Sequence, residues 1–153
     1  MRQVIEAGAI AGYPMQGIRV SVYDGKYHAV DSKEVAFVAA GKKAFLDAVG
    51  KARPTLLEPI VNVQIIAPNA HMGDITGDIA GKRGRVNGTT ALAGGKVSIS
   101  GQLPLAEMEN YQSALKSITG GEGSYTMDFS HYQPALQAVQ KVLASVFAGH
   151  DEE

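Results

Sequence analysis

Two short stretches carry the side chains best suited to contact a nucleic acid. The first, DGKYHAVDS over residues 24–32, sets Lys26, Tyr27 and His28 at the tip of a turn opened by Asp24-Gly25. An aromatic ring and an imidazole can stack on unpaired RNA bases or hydrogen-bond to the backbone. Loop tips are also commonly filled by polar residues that bind nothing, and the stretch alone leaves both readings open. The second, GKRGR over residues 81–85, brings Lys82, Arg83 and Arg85 to the end of a helical pattern. Cations there complement the helix dipole and aid solubility, or they contact phosphates. A third stretch, TGGEGSYTM, is a Gly-rich approach to a strand and reads as a structural turn.

Enzymatic chemistry finds no support. A phosphate loop needs four residues between its first Gly and its Gly-Lys pair, then Ser or Thr. In GDIAGKRG only three residues separate Gly77 from Gly81, and Arg83 follows Lys82. The stretch also lies in or after a helix, where its amides cannot cradle a phosphate, so this chain alone should neither bind nor hydrolyse a nucleotide. His28, His71, His131 and His150 show no metal-ligand spacing, which argues against a metal site. No Ser stands in a nucleophile elbow. Asp74, Asp78 and Glu107 read as surface or capping carboxylates rather than an acid–base pair.

The elements that must position these residues follow from periodicity. MRQVIEAGAIAG reads as a helix tail running into a Gly-rich turn, an abrupt start that suggests a piece of something longer. In GIRVSVYDG, Ile18, Val20 and Val22 alternate with Arg19, Ser21 and Tyr23, which predicts a half-buried strand. Asp31 and Ser32 are equally good caps for the next helix, with Glu34 completing a capping box for Asp31. That helix places Phe37, Val38, Gly41, Ala44, Phe45 and Ala48 on one face and Lys33, Lys43, Asp47 and Lys51 on the other, and Pro54 stops it.

After RPTLLEP the pattern changes. IVNVQIIAP alternates Val61, Val63 and Ile65 against Asn62 and Gln64, a strand. A short helix follows with Met72, Ile75 and Ile79 on one face, then two strands around Gly94-Gly95. LAEMENYQSALKSITGG predicts a second helix, with Leu105, Met108, Tyr111 or Gln112, Leu115 and Ile118 on its apolar face. The last strand places Tyr125, Met127 and Phe129 on one side. From Ile60 on the order is β-α-β-β-α-β, the ferredoxin-like arrangement of an antiparallel sheet with both helices on one face. PALQAVQKVLASVFAG adds a C-terminal helix ended by Gly149, and HDEE reads as a frayed end.

The totals agree with one ordinary domain or two small ones: 153 residues, 45% hydrophobic, formal net charge -1. Near-neutral charge argues against bulk nucleic-acid binding but leaves room for a local basic patch. With no cysteine there is no disulfide framework and no thiolate metal site, and a cytoplasmic setting fits. No apolar run approaches the roughly 20 residues of a membrane span, and the N-terminus lacks a secretory h-region. The 18 glycines, scattered between apolar stretches, suggest tight turns and close packing.

Taken in order, AGYP, VSVYDGKYHAVDSKEVAF, LLEPIVNVQI, MGDITGDIAGKRGRVNG, LPLAEMENY and GSYTMDFSHY resemble the C-terminal end of the translation elongation factor G family, with matching spacing over essentially the whole chain. The resemblance implies an α+β chain. Residues 1–57 would be the latter part of the family's fourth domain, a partial ribosomal-protein-S5-domain-2-like unit. Residues 58–153 would be the ferredoxin-like fifth domain with its C-terminal helix. It implies a ribosomal translocase whose GTP and Mg²⁺ are held by a domain outside this chain. Its partners would be the ribosome, through rRNA and the tRNA–mRNA, and the N-terminal domains of the same protein, with no membrane. His28 matches the histidine at the family's domain tip, where it would contact the tRNA–mRNA duplex, and Lys82, Arg83 and Arg85 fall in the domain that faces large-subunit rRNA.

The sequence departs from that pattern at Ala29, where an acidic residue is usual, at Glu109-Asn110, where Phe-Gly is common, and at Glu122, where arginine is common. Such departures fit a paralogue that recycles ribosomes or has a specialised task. A free-standing RNA-binding module is the reading from a different class. The resemblance also leaves the fourth domain without some strands, so residues 1–57 are expected to expose an unpaired sheet edge.

Overall fold

The computed structural model describes residues 1–9, 12–27, 29, 33–138, 140 and 141. They fall into two compact units, Leu57–Pro134 and a unit of Met1–Leu56 with the described residues from Ala135 on. The chain is α+β.

The first unit is helical where it is regular. Helix α1, Arg2–Ala7, ends at Gly8, whose φ of 86° favours glycine. A side chain there would meet the backbone of Gly12 and Tyr13 at 2.6 Å. The chain folds back so that Met15 N–H donates to the Ile5 carbonyl at 2.8 Å. Helix α2, Glu34–Lys51, buries Phe45 and Val49. Phe37 and Val38, expected on the same buried face, stay half exposed. The residue at its N-cap position is Lys33, which makes no side-chain cap bond; Asp31 and Ser32 lie outside the described residues. The helix stops short of Pro54, whose ring disfavours helical backbone at the residue before it. Arg53 leaves the helix with left-handed backbone, φ 53°, rather than the extended backbone usual before proline. From Ala135 on, Ala135 N–H donates to the Leu56 carbonyl at 2.9 Å. Residues 137, 138, 140 and 141 are helical; Gly149 and the HDEE end lie outside the described residues.

The expected strand at GIRVSVYDG is not formed. Residues 12–27 hold no strand, and Ile18, Val20 and Val22 are 40%, 42% and 76% exposed. The reason is that a strand is defined by its ladder, and its backbone groups need a neighbouring strand. Among the described residues of this unit there is none. The segment has the side-chain alternation of a strand without the partner that makes one, so the expected sheet edge is not formed among the described residues of this unit either.

The second unit is the ferredoxin-like domain. Its strands are β1, Leu57–Pro68; β2, Arg85–Leu92; β3, Lys96–Pro104; and β4, Ser124–Pro134. They form one sheet in the order β2-β3-β1-β4, antiparallel throughout. Helix α3, Met72–Gly81, follows β1 through a 3₁₀ turn, and helix α4, Tyr111–Thr119, precedes β4. Val61, Val63, Ile65 and Ala67 of β1 face Ile75 and Ile79 of α3 and Tyr111 and Leu115 of α4 in one core. Ile65, Ile75, Ile79, Ile99 and Leu115 are wholly buried, each contributing about 1.5–3 kcal/mol by the transfer of its side chain. Tyr125, Met127 and Phe129 stand opposite Ile65, Val63 and Val61, so the side expected for them is the helix face.

One helix begins later than its periodicity suggests. Leu105–Met108 is a 3₁₀ turn, and Glu109 (ψ 127°) and Asn110 (φ 59°) break it before α4 starts. Asparagine tolerates left-handed backbone better than most residues. The break lets Met108 and Tyr111 both enter the core while Leu105 stays at the surface.

Tyr111 is 1% exposed, packs edge-on against Tyr125 at 5.0 Å, and has no hydrogen-bond partner for its hydroxyl. Burial first, then the charges of Asp78 and Tyr125, push its pKa up to about 12. The unfolded chain releases this proton near pH 10 and the folded chain holds it to about 12. Its contribution to stability is therefore intact below pH 10 and is lost as pH rises from there. Tyr111→Phe should be neutral or mildly stabilising at pH 7 and should blunt the fall in stability between pH 10 and 12, measured by denaturant titration. An unchanged alkaline fall would place the linkage on other groups. Gly84 closes the turn between α3 and β2, and a Cβ there would meet Ile79 Cγ2 at 2.6 Å and the Ile79 carbonyl at 2.7 Å. Gly84→Ala should lower unfolding free energy by about 1–3 kcal/mol, read from the same titration.

Candidate nucleic-acid interface

Lys82, Arg83 and Arg85 sit on one turn but have three different environments. At the end of α3 the Gly84 N–H donates to the Ile79 carbonyl at 2.9 Å. This is the six-to-one bond of a Schellman turn, which asks its penultimate residue for left-handed backbone. That residue is Arg83, at φ 58°. Glycine is the usual occupant, and another L-residue there costs about 1–2 kcal/mol.

The Arg83 side chain offsets that cost. Its Nη1 and Nη2 donate to Glu58 Oε1 and Oε2 at 2.9 and 3.2 Å, and its Nε donates to Glu107 Oε1 at 3.1 Å. The hydrogen bonds to Glu58 do most to raise its pKa above the ordinary arginine value, and those to Glu107 add to this against the cost of burial. A fork-to-fork arginine–carboxylate pair is the strong form of ion pair. Arg83 thus ties the start of β1, the end of α3 and the 3₁₀ turn before α4. Lys82 is also engaged: it pairs with Asp78 one turn back and lies 5.8 Å from the Tyr111 ring centre. Arg83 and Arg85 are both exposed, but Arg85, opposite Gln102, has no ion pair among the described residues.

The structure adds a surface that the motifs do not mark. Residues directly opposite on adjacent strands share a face. Arg85, Gln102, Asn62 and Asp128 form one row across the helix-free face of the sheet, and Gly88, Ser100, Gln64 and Thr126 form the next. Gln102 Nε2 donates to Asn62 Oδ1 at 2.8 Å and to Ser130 Oγ at 3.3 Å, and Gln64 Nε2 donates to Ser98 Oγ at 3.0 Å. The polar half of the alternation in β1 and β3 is the sequence signal for it. At one end of this face Arg83, Arg85, Gln102, His131 and Gln133 line a cleft of about 410 Å³ floored by Ile60.

In the first unit, Lys26 is exposed and Tyr27 is 75% exposed. The Tyr27 ring stacks on Phe37 of α2, 6.4 Å between centres and 13° between planes. That contact holds the residue beside His28, which itself lies outside the described residues. Lysine and arginine outnumber carboxylates eight to five over residues 1–56, whereas Leu57–Pro134 has five against seven. Among the described residues no group of His, Asp and Glu is placed to hold a metal ion, and no helix is long and apolar enough to cross a membrane.

Residues 1–53 match the family model for elongation factor G, domain IV, and residues 55–143 match that for the elongation factor G C-terminus. The chain belongs to the elongation factor G family. Its fold is also similar to a crystal structure of a protein from Thermus thermophilus, at 36% identity and a TM-score of 0.79, over 97% of this chain. The chain spans 22% of that protein's length. The resemblance leads one to expect Phe-Gly where this translation elongation factor G-like chain has Glu109-Asn110, and the structure accommodates the second of these residues. Residue 110 has left-handed backbone, so asparagine keeps a turn that glycine also makes. Glu109 points its charge into solvent and leaves the turn intact.

The environments of Arg83 and Arg85 separate their roles in stability. Arg83→Gln should lower unfolding free energy by about 1 kcal/mol, the upper end for an exposed pair of good geometry, since it leaves Glu58 and Glu107 without their partner. Arg85→Gln should change it by less than about 0.5 kcal/mol. Thermal and denaturant unfolding of the two variants measures both, and equal losses would contradict the brace.

Proposed function

We propose that this chain is the ribosome-facing C-terminal part of a GTP-dependent ribosomal translocase. The observation that carries the reading is the pair of adjoining family matches, domain IV over residues 1–53 and the C-terminus over 55–143. On this reading the chain contributes no hydrolytic step: GTP and Mg²⁺ belong to another part of a longer protein, and this part converts their use into movement of RNA. The loop with Lys26, Tyr27 and His28 reaches the tRNA–mRNA at the decoding region, and the ferredoxin-like unit meets large-subunit rRNA. An exposed Lys26, and a Tyr27 ring supported by Phe37, suit a tip that stacks on or hydrogen-bonds to RNA. The setting for such work is the cytoplasm.

A second reading, a paralogue devoted to ribosome recycling or a specialised task, draws on Glu122 and Ala29. Glu122 is exposed and carries a negative charge where the family commonly has a positive one, which weakens any phosphate contact at that place. Ala29 removes the acidic neighbour of the tip histidine.

Single-turnover translocation on ribosomes by the full-length factor, with GTP hydrolysis followed in parallel, separates the two readings. On the translocase reading the wild type moves tRNA and mRNA. His28→Ala then slows movement on the order of tenfold, the scale of one lost base contact, with hydrolysis unchanged. Equal translocation rates would remove His28 from the tip contact. A wild type that hydrolyses GTP without translocating would favour the paralogue, with ribosome splitting as the activity to assay.

A further inference from the structure

The helix-free face of the sheet is polar, nearly neutral and internally ordered. Asn62, Gln64 and Gln102 are held by hydrogen bonds to one another, to Ser98 and to Ser130. Asp128, the carboxylate in the body of the face, accepts a long bond of 3.5 Å from Asn62 and keeps acceptor capacity towards solvent. Two cations mark its ends: Arg85 opposite Gln102, and Lys96 opposite Pro68 and Leu92. Neither has an ion pair among the described residues, and both are exposed. Lys96 lies six positions along β3 from Gln102, about 20 Å of extended chain.

A protein partner would want aromatic or aliphatic anchors at the centre of such a surface; its exposed aliphatic residues, Ile66 and Leu92 at 36% and 40%, lie towards the Lys96 end rather than at the centre. A phosphate rail would want a row of cations along it. The surface has neither. It has amides and hydroxyls in the middle and single positive charges at the rims. That is the complement of a shallow RNA groove, which displays 2′-hydroxyls and base edges on its floor and phosphates on its two walls.

We infer that the helix-free face of this sheet docks on the minor groove of an RNA helix, its amides and hydroxyls meeting sugar hydroxyls while Arg85 and Lys96 each meet one phosphate. The inference rests on the ribosome-facing reading and adds the surface, the groove and the division of roles. Because the side chains are already held in place, docking costs them little rotamer freedom. Lys82 and Arg83 are outside the contact: their charges are committed to Asp78, Glu58 and Glu107.

Binding of the 153-residue chain to ribosomes, measured across a salt series, tests this with three variants. Arg85→Gln and Lys96→Gln should each reduce the slope of log affinity against log salt by close to one. Combined Asn62→Ala, Gln64→Ala and Gln102→Ala should weaken binding roughly tenfold, the scale of one or two lost hydrogen bonds, at an unchanged slope. Thermal unfolding checks that each variant is folded. Hydroxyl-radical footprinting should show rRNA sugars protected by the wild type and released by the triple variant. If the wild type binds and all variants match it, the docking face is wrong while the ribosome-facing reading stands. If the variants weaken binding but no sugars are protected, the partner is a ribosomal protein and the RNA assignment falls. If the wild type does not bind ribosomes at any salt, the ribosome-facing reading fails for this chain and the inference with it.

Discussion

Strand β1 has both of its edges paired, to β3 on one side and β4 on the other, and the second unit depends on that register. Side chains alternate strictly along a strand, so a slip of one residue would exchange the two faces. Val61, Val63, Ile65 and Ala67 would leave the helices, and Asn62 and Gln64 would enter the core without partners. The penalty for burying those two amides adds to the loss of the aliphatic contacts, so one register wins clearly. The same register lines up Arg85, Gln102, Asn62 and Asp128 in one row. The irregularity between Ile60 and Val61 shifts β4 by one residue, leaving Ser130 unpaired and setting His131 opposite Ile60. Core and surface chemistry are therefore fixed by one set of backbone hydrogen bonds.

Local pattern is enough for most of this unit and too little for the first. The β-α-β-β-α-β order can be read because each segment carries its own period, and because Gly94 and Gly95 mark a hairpin that needs positive φ, 75° and 71° in the structure. The pattern of Ile18, Val20 and Val22 is just as clear, yet no strand forms, because pairing is not a property of the segment that shows the alternation. The late start of α4 is hidden for a related reason: the apolar spacing runs through Asn110 although the helix does not. The candidate site is legible as a cluster of charge and illegible as to which charges are free. Arg83 finds its partners 24 and 25 residues away in sequence, and no local count of cations could show that they are taken.

The geometry of Arg83 is informative because it works against backbone preference. Left-handed φ favours glycine, and the turn would close more easily with one. Arginine at that position is accounted for by what its side chain reaches: two carboxylates from two elements, in an arrangement that lysine's single ammonium could not reproduce. The basic motif is thus mostly a structural joint, and it delivers one guanidinium without an ion pair among the described residues, Arg85, to the first row of the polar face.

On the ribosome-facing reading, that outcome changes how the chain would meet a polyanion. The ferredoxin-like unit has more carboxylates than cations, so long-range attraction has to come from residues 1–56, where cations are in excess. Attraction of that kind speeds encounter and depends on salt. A neutral lattice of amides adds little to the speed of approach; it discriminates by fit once contact is made. A factor that must engage and leave its RNA repeatedly gains from such a division. Fewer phosphate contacts mean fewer counterions to recapture on departure, and a pre-ordered polar face can release without rearranging. On the ribosome-facing reading, the near-neutral charge of the whole chain is then a condition for turnover, and it sits comfortably with RNA binding.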